Sequence, residues 1–304
     1  VRPSQQITRR NALVGVHDKS SEFAERTVHE WTSEVFAAED HVLSAQYRLM
    51  IRTDRGAVEK TQEGPSRREV TIEPYTDEQI DDITERVLAQ RARRRGPEPR
   101  FWEDVEEGDE IGPLTKGPMR VTDMIVWHTG MGMGLYGVKA LDLAQVQRQR
   151  VPGFFRSDDL NIPDVHQRVH WDAEWARRAG GPAIYDYGRM RECWLIHLCT
   201  EWMGDDAWLA SLDVEFRAFN YVGDTHTMRG TVVRRYLGEH GPAVDLEIHG
   251  ENQRGMVTCP GHATVLLPSR EHGPVRLPTP PGGAANCEGA LVALVDRFAE
   301  RNDP

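Results

Sequence analysis

The sequence predicts an α+β protein in which an antiparallel sheet wraps around a single buried helix. Two patterns carry that prediction. Leu212, Val214 and Phe216 alternate with polar residues, as do Val244, Leu246 and Ile248, and again Ala263, Val265 and Leu267. A period of two with one apolar face marks strands of an antiparallel sheet, and Thr225 to Tyr236 adds a further one. Gly188 to Met203 is different, because Trp194, Leu195, Ile196, Leu198, Trp202 and Met203 leave little polar surface in its middle. A helix that is apolar nearly all round belongs in an interior.

The remaining elements follow in chain order. Gln6 to Val16 and Arg26 to Phe36 read as strands. Leu43, Ala45, Tyr47, Leu49 and Ile51 alternate and end in Arg52, much as the last strand of the later half ends in Ser269-Arg270. This is a fainter copy of the later pattern, so residues 1–70 read as a partial N-terminal repeat. Val1-Arg2-Pro3 falls where the later copy has Tyr221-Val222-Gly223, and residue 1 is not Met. The first repeat is therefore expected to be truncated or degenerate, with a structural role.

Thr76 with Gln79 forms a capping box, and Ile80, Ile83, Val87 and Leu88 give a helical stripe to about Arg95 before Gly96-Pro97-Glu98-Pro99 breaks it. Residues 71–100 are thus a linker helix. Residues 101–270 form the second domain. Within it the run from Met131 to Gly137 reads as a flexible turn, more simply than as a phosphate cradle, leading to a helix from about Val138 to Arg150. In the tail, 271–304, Pro278 to Pro281 is turn-rich. Leu291, Leu294, Val295 and Phe298 then stand at helical spacing, as in a helix docking on the body.

Composition narrows the function classes. The apolar fraction of 39% suffices for a core, and no stretch has the length of a membrane span. A formal charge of −11 argues against a nucleic-acid partner. Arg91, Arg93, Arg94 and Arg95 read as a solvated helix end, or as a site for coenzyme A phosphates. Cys193, Cys199, Cys259 and Cys287 have no CxxC spacing and no secretory signal precedes them, which excludes a disulfide framework and a zinc site from the expectations. No cofactor or metal is called for. The expected location is cytoplasmic.

The chemistry concentrates in Pro163-Asp164-Val165-His166-Gln167-Arg168-Val169-His170-Trp171-Asp172. A carboxylate and an imidazole near one point can hold a water molecule and move its protons, so Asp164 and His170 are the candidate catalytic pair. The free N–H groups at the start of the helix opening at Gly188 can polarise a carbonyl oxygen, and Gly188, without a Cβ, allows close approach. Tyr185, Asp186 and Tyr187, beside that helix start, are expected to line the site. His128 is a further candidate, set against the simpler reading of a histidine on the buried face of a short helix. With twelve histidines in the chain, an Asp and a His a few positions apart also arise by chance.

The order of these segments resembles the MaoC-like acyl dehydratases, the (R)-specific enoyl-CoA hydratases of the hotdog fold. His170-Trp171-Asp172-Ala173-Glu174-Trp175-Ala176 resembles the family's Asp-x-Glu-(Phe/Tyr)-Ala helix. Gly181 to Gly188 resembles its glycine turn, and Phe216-Arg217 followed by Tyr221-Val222-Gly223-Asp224 resembles its later strand. The likeness covers about residues 101 to 268. Asp164 lies six residues before His170 where the family pattern has five, His166 and Gln167 replace its Asn-Pro, and about thirty residues are inserted after Met119-Arg120-Val121-Thr122.

The resemblance implies a double hotdog with an incomplete first repeat. It also implies a hydro-lyase that reversibly hydrates a trans-2-enoyl thioester carried on coenzyme A or acyl carrier protein. A hotdog acyl-CoA thioesterase and a non-catalytic acyl-thioester-binding subunit are the alternatives. A homodimer is the expected assembly, with a heteromer as the other possibility.

Overall fold

The structure is a computed structural model that describes residues 5–21, 25–38, 41–53, 73–131, 140–178, 181–277 and 287–302. The chain divides into two compact units. One comprises residues 1–68 and 278–304, the other residues 69–277.

In the larger unit the alternating segments form the sheet they predict. Strands β4 (Glu110–Lys116), β7 (Trp208–Val214), β8 (His226–Gly238), β9 (Gly241–Asn252) and β10 (Val257–Leu266) pair in the order β4-β8-β9-β10-β7, all antiparallel. Strands β8 and β9 are joined by a tight hairpin, and Gly241, at φ +102°, takes a conformation that other residues rarely adopt. Helix α5 (Gly188–Met203) lies against this sheet. Its Leu195, Leu198, Cys199, Trp202 and Met203 pack with Met228, Val232, Leu246, Ile248 and Val265. Each buried leucine contributes about 1.5–3 kcal/mol through apolar area removed from water.

Close packing across the sheet also requires one residue without a side chain. A Cβ on Gly250 would stand 2.6 Å from Cys259 Sγ and 2.7 Å from Met228 Sδ.

Helix α1 (Asp77–Arg91) carries the predicted capping box, with the Thr76 hydroxyl accepting from the Gln79 N–H and the Gln79 side chain accepting from the Thr76 N–H. It ends at Arg91 rather than near Arg95, because the chain turns there and the Arg95 N–H bonds to the Glu201 carbonyl of α5 at 3.0 Å. The Gln90 side chain accepts from Thr115 N at 2.8 Å and docks the helix on β4. Only Ile83 of the apolar stripe is buried. Thr76→Ala is expected to cost about 1 kcal/mol in urea unfolding, the usual value of an N-cap.

The smaller unit has three antiparallel strands, β1 (Ile7–Ser21), β2 (Glu25–Ala38) and β3 (His41–Thr53), in that spatial order. The predicted C-terminal helix, α6 (Cys287–Asn302), packs on this N-terminal sheet. Ala290 and Leu294 bury against Val35 and Ala37, the Tyr47 hydroxyl donates to the Leu294 carbonyl at 2.6 Å, and the Phe298 ring contacts Trp31 and Tyr47. The glycine-rich run from Gly132 to Gly137 and the segment from Pro278 to Pro281 lie outside the described residues, and the helix expected after those glycines is α3 (Ala140–Arg150). No helix among the described residues is long and apolar enough to cross a membrane.

Candidate active site

The segment singled out in the sequence folds as a short hairpin followed by a tight turn. Strands β5 (Phe155–Ser157) and β6 (Pro163–Val165) pair, placing Asp164 opposite Arg156. A 3₁₀ turn over His166–His170 follows, then the short helix α4 (Ala173–Arg178), whose first turn Asp172 caps by accepting from Glu174 N and Trp175 N. The Arg168 guanidinium gathers three carboxylates, those of Asp158 at 3.3 Å, Asp164 at 3.2 Å and Asp172 at 2.9 Å. This clamp sets the shape of the turn that carries His170.

His170 is fixed by the segment that leads into α5. Its Nδ1 lies 2.9 Å from the Tyr185 carbonyl oxygen. A carbonyl only accepts, so Nδ1 bears the proton and Nε2 presents a lone pair. Nε2 has no hydrogen-bond partner among the described residues. The ring packs on Tyr187, with centroids 3.8 Å apart, and meets Tyr185 edge-on at 5.0 Å. Burial pushes its pKa down to about 4, the Tyr185 carbonyl pulling the other way and the neighbouring His128 and His166 adding to the fall. His170 is therefore neutral across the physiological range.

His128 joins the same cluster from helix α2 (Val121–Gly130). It is buried, its Nδ1 lies 2.8 Å from the Tyr187 hydroxyl, and its ring meets Trp171 edge-on. Tyr187 also stacks on Trp127, at 5.0 Å between centroids. Met119, Met124 and Met190 complete an apolar wall around these rings. The structure thus brings His170, His128, Tyr185 and Tyr187 together.

Gly188 opens α5 directly after them. Tyr187 caps the helix without a side-chain hydrogen bond, so the Gly188 N–H is one of the donors that no helical carbonyl satisfies. A Cβ there would touch the Phe216 ring at 3.3 Å, which explains glycine at this position through packing as well as access.

Two expected site residues are placed elsewhere. His170 makes no hydrogen bond to Asp164, whose carboxylate accepts instead from Val165 N at 2.8 Å and from Arg168. Asp186, expected to line the site, is 2% exposed and its carboxylate accepts from Arg191 Nε at 2.9 Å and Asn220 Nδ2 at 3.1 Å. Burial raises its pKa against the pull of Arg191. Arg191 in turn donates to the carbonyls of Ala218 and Thr258, so Asp186 braces the first turn of α5 from below.

The Arg168 clamp and the Asp186–Arg191 pair were missed in the sequence, although Asp164 and Asp172 flank Arg168 at four-residue spacing, which is an ion-pair signal. Among the described residues no group of three or more His, Cys, Asp and Glu side chains is arranged to hold a metal ion. An open cavity of about 490 Å³ lies apart from the ring cluster, lined among others by Tyr75, Gln79, Arg86, Thr225 and Arg254. Its guanidiniums are already paired, Arg86 with Asp82 and Arg254 with Asp224.

A pH dependence follows from the buried imidazoles. His226, fully buried with Nε2 2.7 Å from Thr258 Oγ1, is like His170 pushed down to about 4 by burial. In the unfolded chain both titrate near ~6.5. Between those values the unfolded state binds more protons, so stability falls as pH drops through that window. The unfolding free energy from urea titrations is expected to fall steadily from pH 7 to 4.5, by about 1–3 kcal/mol per histidine at the acid end. His226→Gln should flatten that slope.

No protein-family model and no curated protein matches the sequence. Solved structures do resemble the chain. A structure described as a MaoC-like dehydratase matches at 13% identity and TM-score 0.53, over 86% of this chain and 70% of that one. A putative MaoC domain protein dehydratase from Chloroflexus aurantiacus matches at 14% identity and TM-score 0.48, over 89% of this chain and 72% of that one. The (R)-hydratase of A. caviae involved in PHA biosynthesis matches at 18% identity and TM-score 0.38, over 55% of this chain and 99% of its own. The fold is the hotdog fold, as the first of these comparisons and the sheet wrapped on α5 both show.

Proposed function

We propose that this hotdog chain of the MaoC-like type is a hydro-lyase that reversibly hydrates a trans-2-enoyl thioester, with His170 as its base. The observation that carries the reading is the Nδ1 bond from His170 to the Tyr185 carbonyl, which leaves Nε2 as a fixed lone pair on a ring anchored three residues before Gly188, where α5 begins.

In the proposed step, His170 Nε2 takes a proton from water as the water oxygen bonds to the β-carbon. The electron pair of the double bond moves onto the thioester oxygen, where the Gly188 N–H donates to it. The imidazolium then returns its proton to the α-carbon, so one molecule of water is added and nothing else is consumed. An imidazole near 4 is a weak base, but its conjugate acid gives the proton back readily. The reverse sequence dehydrates a 3-hydroxyacyl thioester. Asp164 acts here through Arg168, holding the turn rather than the water. Asp164→Asn is expected to lower turnover by less than ~10-fold, below the range of a lost acid or base.

The test follows enoyl absorbance when the purified chain meets short and long trans-2-enoyl-CoA. Loss of absorbance without release of free thiol is the expected result. Thiol release would make the chain a thioesterase, and binding of acyl-CoA with neither change would make it a binding subunit.

A further inference from the structure

A second linked set of ionisable side chains lies outside the ring cluster. Lys116 closes β4, and His197 and Glu201 stand one turn apart on α5. Lys116 Nζ lies 2.7 Å from His197 Nδ1, and His197 Nε2 lies 3.0 Å from Glu201 Oε1. A carboxylate only accepts, so Nε2 carries the proton and Nδ1 offers its lone pair to the lysine. Carboxylate, imidazole and amine thus run in the order that activates nucleophiles elsewhere in proteins. Arg94, 3.8 Å from Glu201, is a looser neighbour of the same carboxylate.

Lys116 is half-buried and no carboxylate touches its amine among the described residues. Burial lowers its pKa, with the Glu201 charge opposing. Lysine is also scarce in this chain. Lys19, Lys60, Lys116 and Lys139 are all it has among 37 basic residues, so a lysine at the end of this relay is set apart from the arginine-rich surface.

We propose that Lys116 is an acyl-acceptor site, modified by acyl thioesters. The neutral amine attacks the thioester carbonyl carbon, a C–N bond forms, and the C–S bond breaks with its electron pair leaving on sulfur. The proton shed by Nζ passes to His197 Nδ1, its positive charge facing Glu201, and then to the departing thiolate. Amine and thioester become amide and thiol, with no other reactant. The site does not depend on His170 or on the hydration reading.

The test incubates the whole chain with acetyl-CoA, and separately with an acetyl ester of a simple thiol, and measures acetylation at each lysine by peptide mass spectrometry. Lys19, exposed on β1, is the internal reference. Lys116 is expected to react on the order of 10²-fold faster than Lys19 with both reagents, the low end of what a positioned base supplies. His197→Asn should bring Lys116 down to the Lys19 rate and leave Lys19 unchanged, with circular dichroism confirming an intact fold. Equal rates at the two lysines in the native chain, or a Lys116 rate indifferent to His197→Asn, would overturn the proposal.

Discussion

Replacing His170 with asparagine is expected to lower enoyl-thioester hydration by ~10²- to 10⁴-fold. The asparagine amide stands where Nδ1 does and can still donate to the Tyr185 carbonyl, so the anchor seen at 2.9 Å is kept, but no lone pair of basic nitrogen remains. Both His170→Asn and His170→Ala give up the ring that packs on Tyr187, and His170→Ala gives up the anchor as well, so it should lose as much activity and more stability. Comparing the two variants separates chemistry from anchoring. Full activity in His170→Asn would remove His170 from the reaction.

The largest stability effect is expected at Arg191. Arg191→Met leaves the Asp186 carboxylate buried with only Asn220 to meet it, and stranding one partner of a buried pair costs about 3–5 kcal/mol. The double variant Arg191→Met with Asp186→Leu should recover much of that loss, since an apolar pair removes the stranded charge. Tryptophan fluorescence is a suitable readout. Of eight tryptophans only Trp31 lies in the smaller unit, so the signal reports the larger one. Because Asp186 stands two residues before Gly188, the single variant should also lose activity below its unfolding range.

The parts of the fold that could be read in the sequence are those whose physics is local. Strands β7 to β10 alternate because one face is buried, and α5 shows its burial through its own residues. The Thr76 capping box is likewise complete within four residues. Strand β4 escaped notice because Gly112 and Pro113 interrupt its pattern, and β5 and β6 are three residues each. His170 was visible, but its tautomer depends on a carbonyl fifteen residues away, and the role of His128 on a hydroxyl fifty-nine residues away. Asp164 has Arg168 four residues on, and an arginine holds a carboxylate more firmly than a neutral imidazole does.

The packing of α6 on the N-terminal sheet bears on how the molecule is made. Strands β1 to β3 are translated ahead of the larger unit, and the helix that covers Val35 and Ala37 follows more than two hundred residues later. The larger unit has all its own strands and helices by then and folds within the interval. The sheet therefore spends that interval with an uncovered apolar face, a window in which a chaperone or a neighbouring nascent chain competes with α6 for that face.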